Sequence, residues 1–342
     1  MEKEILSNLK KNNGISEYFS EVLLLALLLT FYSFGFYYGN LLHDYSKILL
    51  LVIYAFYIIL ILPRIIFVKK ETGLYNASLI ISIIKRFFKH VLYRNNYHSQ
   101  FSVFKNDIEK HKFLFFLVKI IFIPIMLNFF VEYVIYLYEF FAQNAFGMKF
   151  ILSDFRWFLL LSAIIFGIDT LYFSFGYLVE HKRFNNIVKS IDTSVLGWLV
   201  ALACYKPFNN VTVRLFPMFA DENVFFINKD LTLILYLTVI IFYVIYLLAT
   251  FALGSKCSNL TNRGIVNKGV YRIIRHPAYA SKVIAWWLLC IPIINIKVII
   301  SMFVWTTIYL LRAYTEEQHL LKDKDYQKYC KEVKWKFIPL IY

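Results

Sequence analysis

The apolar residues of this chain come in runs about as long as the hydrocarbon core of a bilayer is thick, and polar segments separate them. A helix rises about 1.5 Å per residue, so roughly 20 apolar residues cross such a core. Continuous candidates are Glu21–Tyr38, Ile48–Val68, Phe113–Tyr138, Trp157–Val179 and Leu231–Leu253. A shorter run, Val195–Tyr205, is followed by Lys206-Pro207, which must interrupt a helix. The stretch Val283–Leu311 is nearly continuous, but Pro292, Asn295 and Lys297 break it, and it reads as a tight hairpin of two helices. The pattern predicts an all-α polytopic integral membrane bundle of about eight transmembrane helices. The run after Glu21 is too long for a signal-peptide core and lacks an A-x-A end, so it reads as a retained anchor.

Composition agrees with lipid as the solvent. Of 342 residues, 60% are hydrophobic and 20% aromatic, and the mean hydropathy is +0.59, more than a water-soluble fold could hide. The 35 Phe and 26 Tyr read mostly as lipid-facing or interfacial residues. The formal charge of +15 comes from Lys and Arg lying between the apolar runs, where the positive-inside rule wants them. A nucleic-acid binder would gather them on one soluble face instead, so the expected partners are membrane lipids and not nucleic acid. Basic-rich and basic-poor segments alternate. Lys3, Lys10 and Lys11, the Arg64–Lys112 segment, Lys182–Lys189, Lys256–Lys282 and Arg312–Lys336 are rich, whereas His43–Lys47, Lys149–Arg156 and Lys206–Asp230 are poor or mixed. Both termini are therefore expected in the cytoplasm, and the character of the N-terminus is compatible with a bacterial inner membrane. Between Ala77 and Arg94, Ile80, Ile83, Ile84, Phe87, Phe88 and Val91 form one stripe bordered by Lys85, Arg86 and Lys89. This is the profile of an interfacial amphipathic helix, or of one packed on the bundle. Cys204, Cys257, Cys290 and Cys330 make no CxxC pair, so neither a disulfide framework nor a metal site is expected.

Three features that can carry chemistry fall near the expected cytoplasmic face. The first is the block Gly269-Val270-Tyr271-Arg272-Ile273-Ile274-Arg275-His276-Pro277-Ala278-Tyr279. Gly269 permits a tight turn and Pro277 fixes the backbone, so Arg275, His276 and Tyr279 form a compact polar cluster. The second is Arg312 with Glu316, Glu317 and Leu320, where Arg312 and Glu316 share a helix face at i, i+4. The third is a basic, aromatic tail of Tyr326, Tyr329, Val333, Phe337 and Pro339. The hairpin should fold the first two clusters to one membrane side.

The combination of GxYxxxRHPxY, a hairpin, R…EExxL and a YxxY…P tail resembles the isoprenylcysteine carboxyl methyltransferase and phospholipid methyltransferase superfamily, over roughly residues 262–342. The resemblance implies an all-helical bundle with a cytoplasmic-side pocket for S-adenosylmethionine and lateral access for a lipid-like or prenylated acceptor. By position it implies that His276, Tyr279 and Glu317 bind the cofactor, with Gly269 and Tyr271 shaping its loop. Arg275, Arg312 and Glu316 would orient the cofactor or the acceptor and serve the transfer. The chain departs from the family's RHPxYxG, with Ser281 in place of the glycine, Lys282 after it, and Trp286-Trp287 near a further glycine position. These departures bear on the acceptor pocket more than on the cofactor. A carboxylate acceptor needs no base, whereas an amine or hydroxyl does, and Glu316 or His319 could supply it.

The motifs divide the chain into 1–230, an N-terminal membrane region, and 231–342, a methyltransferase-like unit. Two other functions compete. The end of the chain, with Tyr329-Cys330, Val333 and Ile338–Tyr342, is also similar to sterol reductases, which bind a nicotinamide cofactor, although Glu316-Glu317 and Leu320 differ from their acidic segment. A non-catalytic transporter or assembly protein would use Asp169 and Glu132, carboxylates inside apolar runs, to mark a path. Asp169 could equally line an acceptor pocket with Tyr172 and Tyr177, or be a packed hydrogen-bonded residue, and Lys119 is a possible carboxylate partner. Glu180, His181 and Asp192 read as a solvated loop.

Overall fold

The computed structural model describes residues 14–35, 38–68, 76–92, 103–143, 155–220 and 223–341. Nearly all of the regular structure is helical: α1 (Gly14–Phe34), α2 (Tyr38–Leu41), α3 (Asp44–Val68), α4 (Ala77–Leu92), α5 (Asp107–Gln143), α6 (Arg156–Leu178), α7 (Val195–Leu202), α8 (Asn210–Leu215), α9 (Lys229–Leu253), α10 (Pro277–Cys290), α11 (Ile296–Leu320) and α12 (Lys324–Glu332). Among the described residues, six helices are long and apolar enough to cross a membrane: α1, α3, α5, α6, α9 and α11. With leucines, isoleucines and phenylalanines such as Leu23, Ile59, Ile234 and Phe303 exposed along them, these helices are those of an integral membrane protein.

Six is fewer than the eight that the apolar runs predict, and the two differences have local causes. The run at Val195 forms only the eight-residue α7, after which the chain turns ahead of Pro207. The first arm of the hairpin, α10, has 14 residues and ends in a 3₁₀ turn, Ile291–Ile293, that contains Pro292. At about 1.5 Å per residue α10 spans about 21 Å, short of a hydrocarbon core of roughly 30 Å. Asn295 then caps α11 by accepting from the N–H groups of Lys297 (2.9 Å) and Val298 (3.2 Å).

By internal contacts the chain forms two compact units, Met1–Pro124 and Ile125–Tyr342, and α5 contributes to both. This division is one of packing; that at residue 230 is one of motif content. In the first unit α1 packs on α3 and α4. Buried Glu21 accepts the Ala77 N–H at the start of α4 (3.3 Å). Helix α4 buries Ala77, Ile80 and Ile83 and exposes Phe87, Phe88 and Val91. Its Arg86 pairs with Glu109 at 2.6 Å. Residues 93 and 94 of the expected amphipathic stretch, like Lys3, Lys10, Lys11 and Lys149, lie outside the described residues.

The second unit is held by α6, α9 and α10, which share a core of Phe158, Ile165, Tyr236, Val239, Tyr243, Ala285 and Leu289. Phe158 and Tyr236 stack with ring centroids 4.0 Å apart. A two-residue antiparallel ladder, β1 (Ser190–Ile191) with β2 (Thr261–Asn262), ties the segment after α6 to the segment after α9. Helix α11 packs on α7 and α10. Gly176 of α6 has a packing reason: a Cβ there would stand 2.1 Å from the Cys257 carbonyl oxygen.

Candidate active site

Gly269 opens a 3₁₀ turn, Gly269–Arg272, with φ +57°, a left-handed conformation that favours glycine. Pro277 sits at the first turn of α10, where its missing N–H costs nothing. Between them, the N–H groups of Arg275 and His276 donate to the carbonyls of Trp335 and Lys336, each at 2.9 Å, so the tail runs alongside the motif. Tyr329 donates from its hydroxyl to the Tyr271 carbonyl (2.7 Å). Tyr326, Tyr329 and Val333 form a small core with Ile265 and Leu320. The His276 ring stacks with Tyr279 and with Phe337, with centroids 5.7 and 5.3 Å away.

The two glutamates of the EExxL motif part company, as neighbours on a helix must. Glu317 is buried, and its Oε1 meets Arg275 at 3.1 Å and His276 Nε2 at 3.2 Å, while its Oε2 meets Lys336 at 3.2 Å. Burial of Arg275 works against its charge, but the Glu317 carboxylate, together with Cys330 and Tyr326, outweighs this and raises its pKa. Glu316 is exposed and accepts the Tyr279 hydroxyl (2.8 Å).

Glu316 faces a cavity of about 290 Å³ lined by α5, α6, α9, α10 and α11 and the loops after α7 and α9. Five of the residues singled out from sequence for cofactor or catalysis besides Glu316 are on its wall: Tyr271, Arg275, His276, Tyr279 and Arg312. Gly269 and Glu317 are not; Gly269 opens the turn and Glu317 holds the charge cluster. Glu316 also borders two adjoining cavities, of about 40 and 100 Å³. His319 lies on the smaller, with Nε2 at 2.9 Å from Ser190 Oγ. Burial pushes the Tyr271 phenol well above its usual pKa, and Glu316 adds to the shift, so the phenol stays protonated.

The Arg312 guanidinium is buried against the faces of Tyr279, Tyr205 and Tyr309, 5.3–5.8 Å from their centroids. It also donates to the Asn259 side-chain carbonyl. Asp169, in the span of α6, lines the same cavity and accepts from the hydroxyls of Tyr246 (2.8 Å) and Thr250 (2.5 Å). Tyr177 is elsewhere engaged, fully buried at the Asn259 N–H (2.6 Å). Glu132 is exposed on α5 and takes the Asn128 amide at 2.7 Å, and Lys119 is buried over the Phe115 ring. Asp192 belongs to a turn: it is buried and accepts the Ser194 N–H. Asn259, Tyr205, Thr250 and Lys336 carry no motif spacing, so no sequence signal marks them. Tyr309 does have one, since it precedes Arg312 and Glu316 on one face at i, i+3, i+7.

The donor set suits a ligand bearing both a cation and an anion. Aromatic faces and the Glu316 carboxylate suit a sulfonium or ammonium, and Arg312 suits a carboxylate. The cavities together reach the low end of the roughly 300–1,000 Å³ that hold small organic ligands.

Residues 230–328 match the family model described as phospholipid methyltransferase. The match runs from the start of α9 through the motif, the hairpin and α11 into α12, within the superfamily to which the residues point. None of the curated proteins matches the chain.

Proposed function

We propose, from the premise that residues 230–328 form a domain of phospholipid methyltransferase kind, that the protein transfers a methyl group from S-adenosylmethionine to a lipid-like acceptor held in the membrane. The observation that carries this reading is the convergence of Tyr279, Arg312 and Glu316 on one cavity inside a membrane unit. The cofactor would supply a methyl group activated on a sulfonium.

The chain's own residues then have separable tasks. Glu316, exposed to the cavity and anchored by Tyr279, would hold cationic or hydroxyl groups of the cofactor. The Arg312 guanidinium already occupies the tyrosine faces around it, so Arg312 would face the carboxylate of the cofactor and leave its cationic groups to Glu316. Glu317 is a positioning residue: through Arg275, His276 and Lys336 it sets the angle at which the motif and the tail meet. Methyl transfer is an in-line displacement, so alignment is most of what the protein must contribute. Of the two bases named from sequence, Glu316 is on the main cavity and His319 on the smaller one.

Calorimetry on detergent-purified protein with S-adenosylmethionine and with NADPH tests the reading. Saturable S-adenosylmethionine binding is expected, weakened about tenfold or more in Glu316→Gln, in keeping with roughly 1.5–3 kcal/mol for a charged hydrogen bond. Binding of NADPH in its place would make the protein a reductase, and binding of neither would remove the enzyme reading altogether.

A further inference from the structure

Lys282 lies one turn beyond Tyr279 on α10, and its side chain reaches the wall of the main cavity. Its ammonium stands 5.3 Å from the Trp286 centroid, 5.4 Å from Tyr246 and 5.7 Å from Phe166. Among the described residues it makes no hydrogen bond and no ion pair. Asp169 is the carboxylate on the same part of the wall, and each of its oxygens accepts a hydroxyl. Asp169 supplies opposite charge to it, but a lysine head group whose N–H donors meet no acceptor in a low-dielectric site is costly unless a ligand supplies one.

We infer that the Lys282 end of the cavity is a docking subsite for the anionic group of an amphiphilic acceptor, a carboxylate or a phosphate ester on an apolar chain. This inference rests on the methyl-transfer reading for its role but not for its geometry. Two further arguments point the same way. The aromatic cage formed by Phe166, Tyr246 and Trp286 would suit an ammonium, but Lys282 already fills it, so a purely cationic head group would meet a like charge. Charge balance also favours an anion. Arg275 is neutralised by Glu317, which leaves Lys282 and Arg312 against Asp169 and Glu316 around the cavity. A bound cofactor that carries a sulfonium, an ammonium and a carboxylate adds net positive charge, and an anionic acceptor restores neutrality. Apolar side chains on the same wall, among them Met126, Phe129 and Phe173, suit the acceptor's chain.

The test compares dodecanoate, dodecyl phosphate and dodecanol, which share one chain and differ in head group. Their binding to purified protein without cofactor is measured directly and by thermal stabilisation. At least one anion is expected to bind about tenfold or more tighter than dodecanol. Lys282→Met and Lys282→Gln should abolish that preference, and Lys282→Arg should retain it. Preference for dodecanoate alone would assign a carboxylate acceptor, and preference for dodecyl phosphate a phosphate-bearing lipid. Equal binding of dodecanol, or an anion preference that survives in both Lys282→Met and Lys282→Gln, would overturn the subsite. S-adenosylmethionine binding to the wild type separates the two proposals: its absence beside a Lys282-dependent anion preference would sink the methyl-transfer reading and leave the subsite standing.

Discussion

Glu317 shows what one buried carboxylate does when two other chain segments bring basic side chains to it. Arg275 and His276 come from the motif before α10, Lys336 from the tail, and Glu317 itself from the last turns of α11. Removing its charge leaves the largely covered Arg275 side chain, 11% exposed, without its counter-ion, and such losses cost about 3–5 kcal/mol when both partners are out of water. Lys336 is partly exposed, so Glu317→Gln should fall toward the low end of that range. Its expected signature is a lower melting temperature in detergent together with faster proteolysis after residue 330, because the tail loses its anchor. A variant with wild-type stability and an intact tail would show that the cluster contributes little. Glu316→Gln, by contrast, leaves this cluster untouched and should melt close to wild type. The comparison therefore separates the positioning glutamate from the one facing the cavity.

Elements are set here by short polar interruptions in apolar sequence. The hairpin between α10 and α11 exists because Pro292 cannot continue a helix and Asn295 starts the next one. Helix α6 depends on Gly176 for its approach to the segment that follows α9, where the Cys257 carbonyl fills the space of a side chain. The obstacle is backbone and not a flexible side-chain tip, so Gly176→Ala must push the two segments apart. A loss of about 1–3 kcal/mol is expected, typical of overpacking, read as a drop in melting temperature. Since Ser258 and Asn259 follow Cys257 and line the cavity, ligand binding should weaken in the same variant. Unchanged stability would mean that the segment after α9 can yield without cost.

At the scale of the whole molecule, the lipid-facing surface and the distribution of charge decide orientation. The tail and the motif that it embraces are rich in Lys and Arg, and by the positive-inside rule we propose that these segments face the cytoplasm. In bacterial cells, a reporter that fluoresces only in the cytoplasm, fused after Tyr342, is expected to light up. A reporter active only on the outer side should be silent at that position, and the reverse result would invert the proposed orientation of the cavity.

Hydrophobic run length by itself determined that this is a helical membrane protein, because a chain cannot hide so much apolar surface from water. Residue chemistry and spacing likewise marked Arg275, His276 and Tyr279 beside Pro277, and Arg312 with Glu316 and Glu317, since one helix turn puts Arg312 and Glu316 on a shared face and a hairpin returns to its own side. Tyr271 came only from the family resemblance. Two matters needed tertiary structure. Whether a run crosses depends on where its helix stops, and the run at Val195 and the first arm of the run at Val283 yield helices shorter than their apolar content suggests. Which of two adjacent glutamates faces the cavity depends on the packing around α11, and so do the partners that arrive from distant loops. Asn259 from the loop after α9 and Lys336 from the tail reach their sites by folding alone, because long-range contacts leave no periodic trace in a sequence.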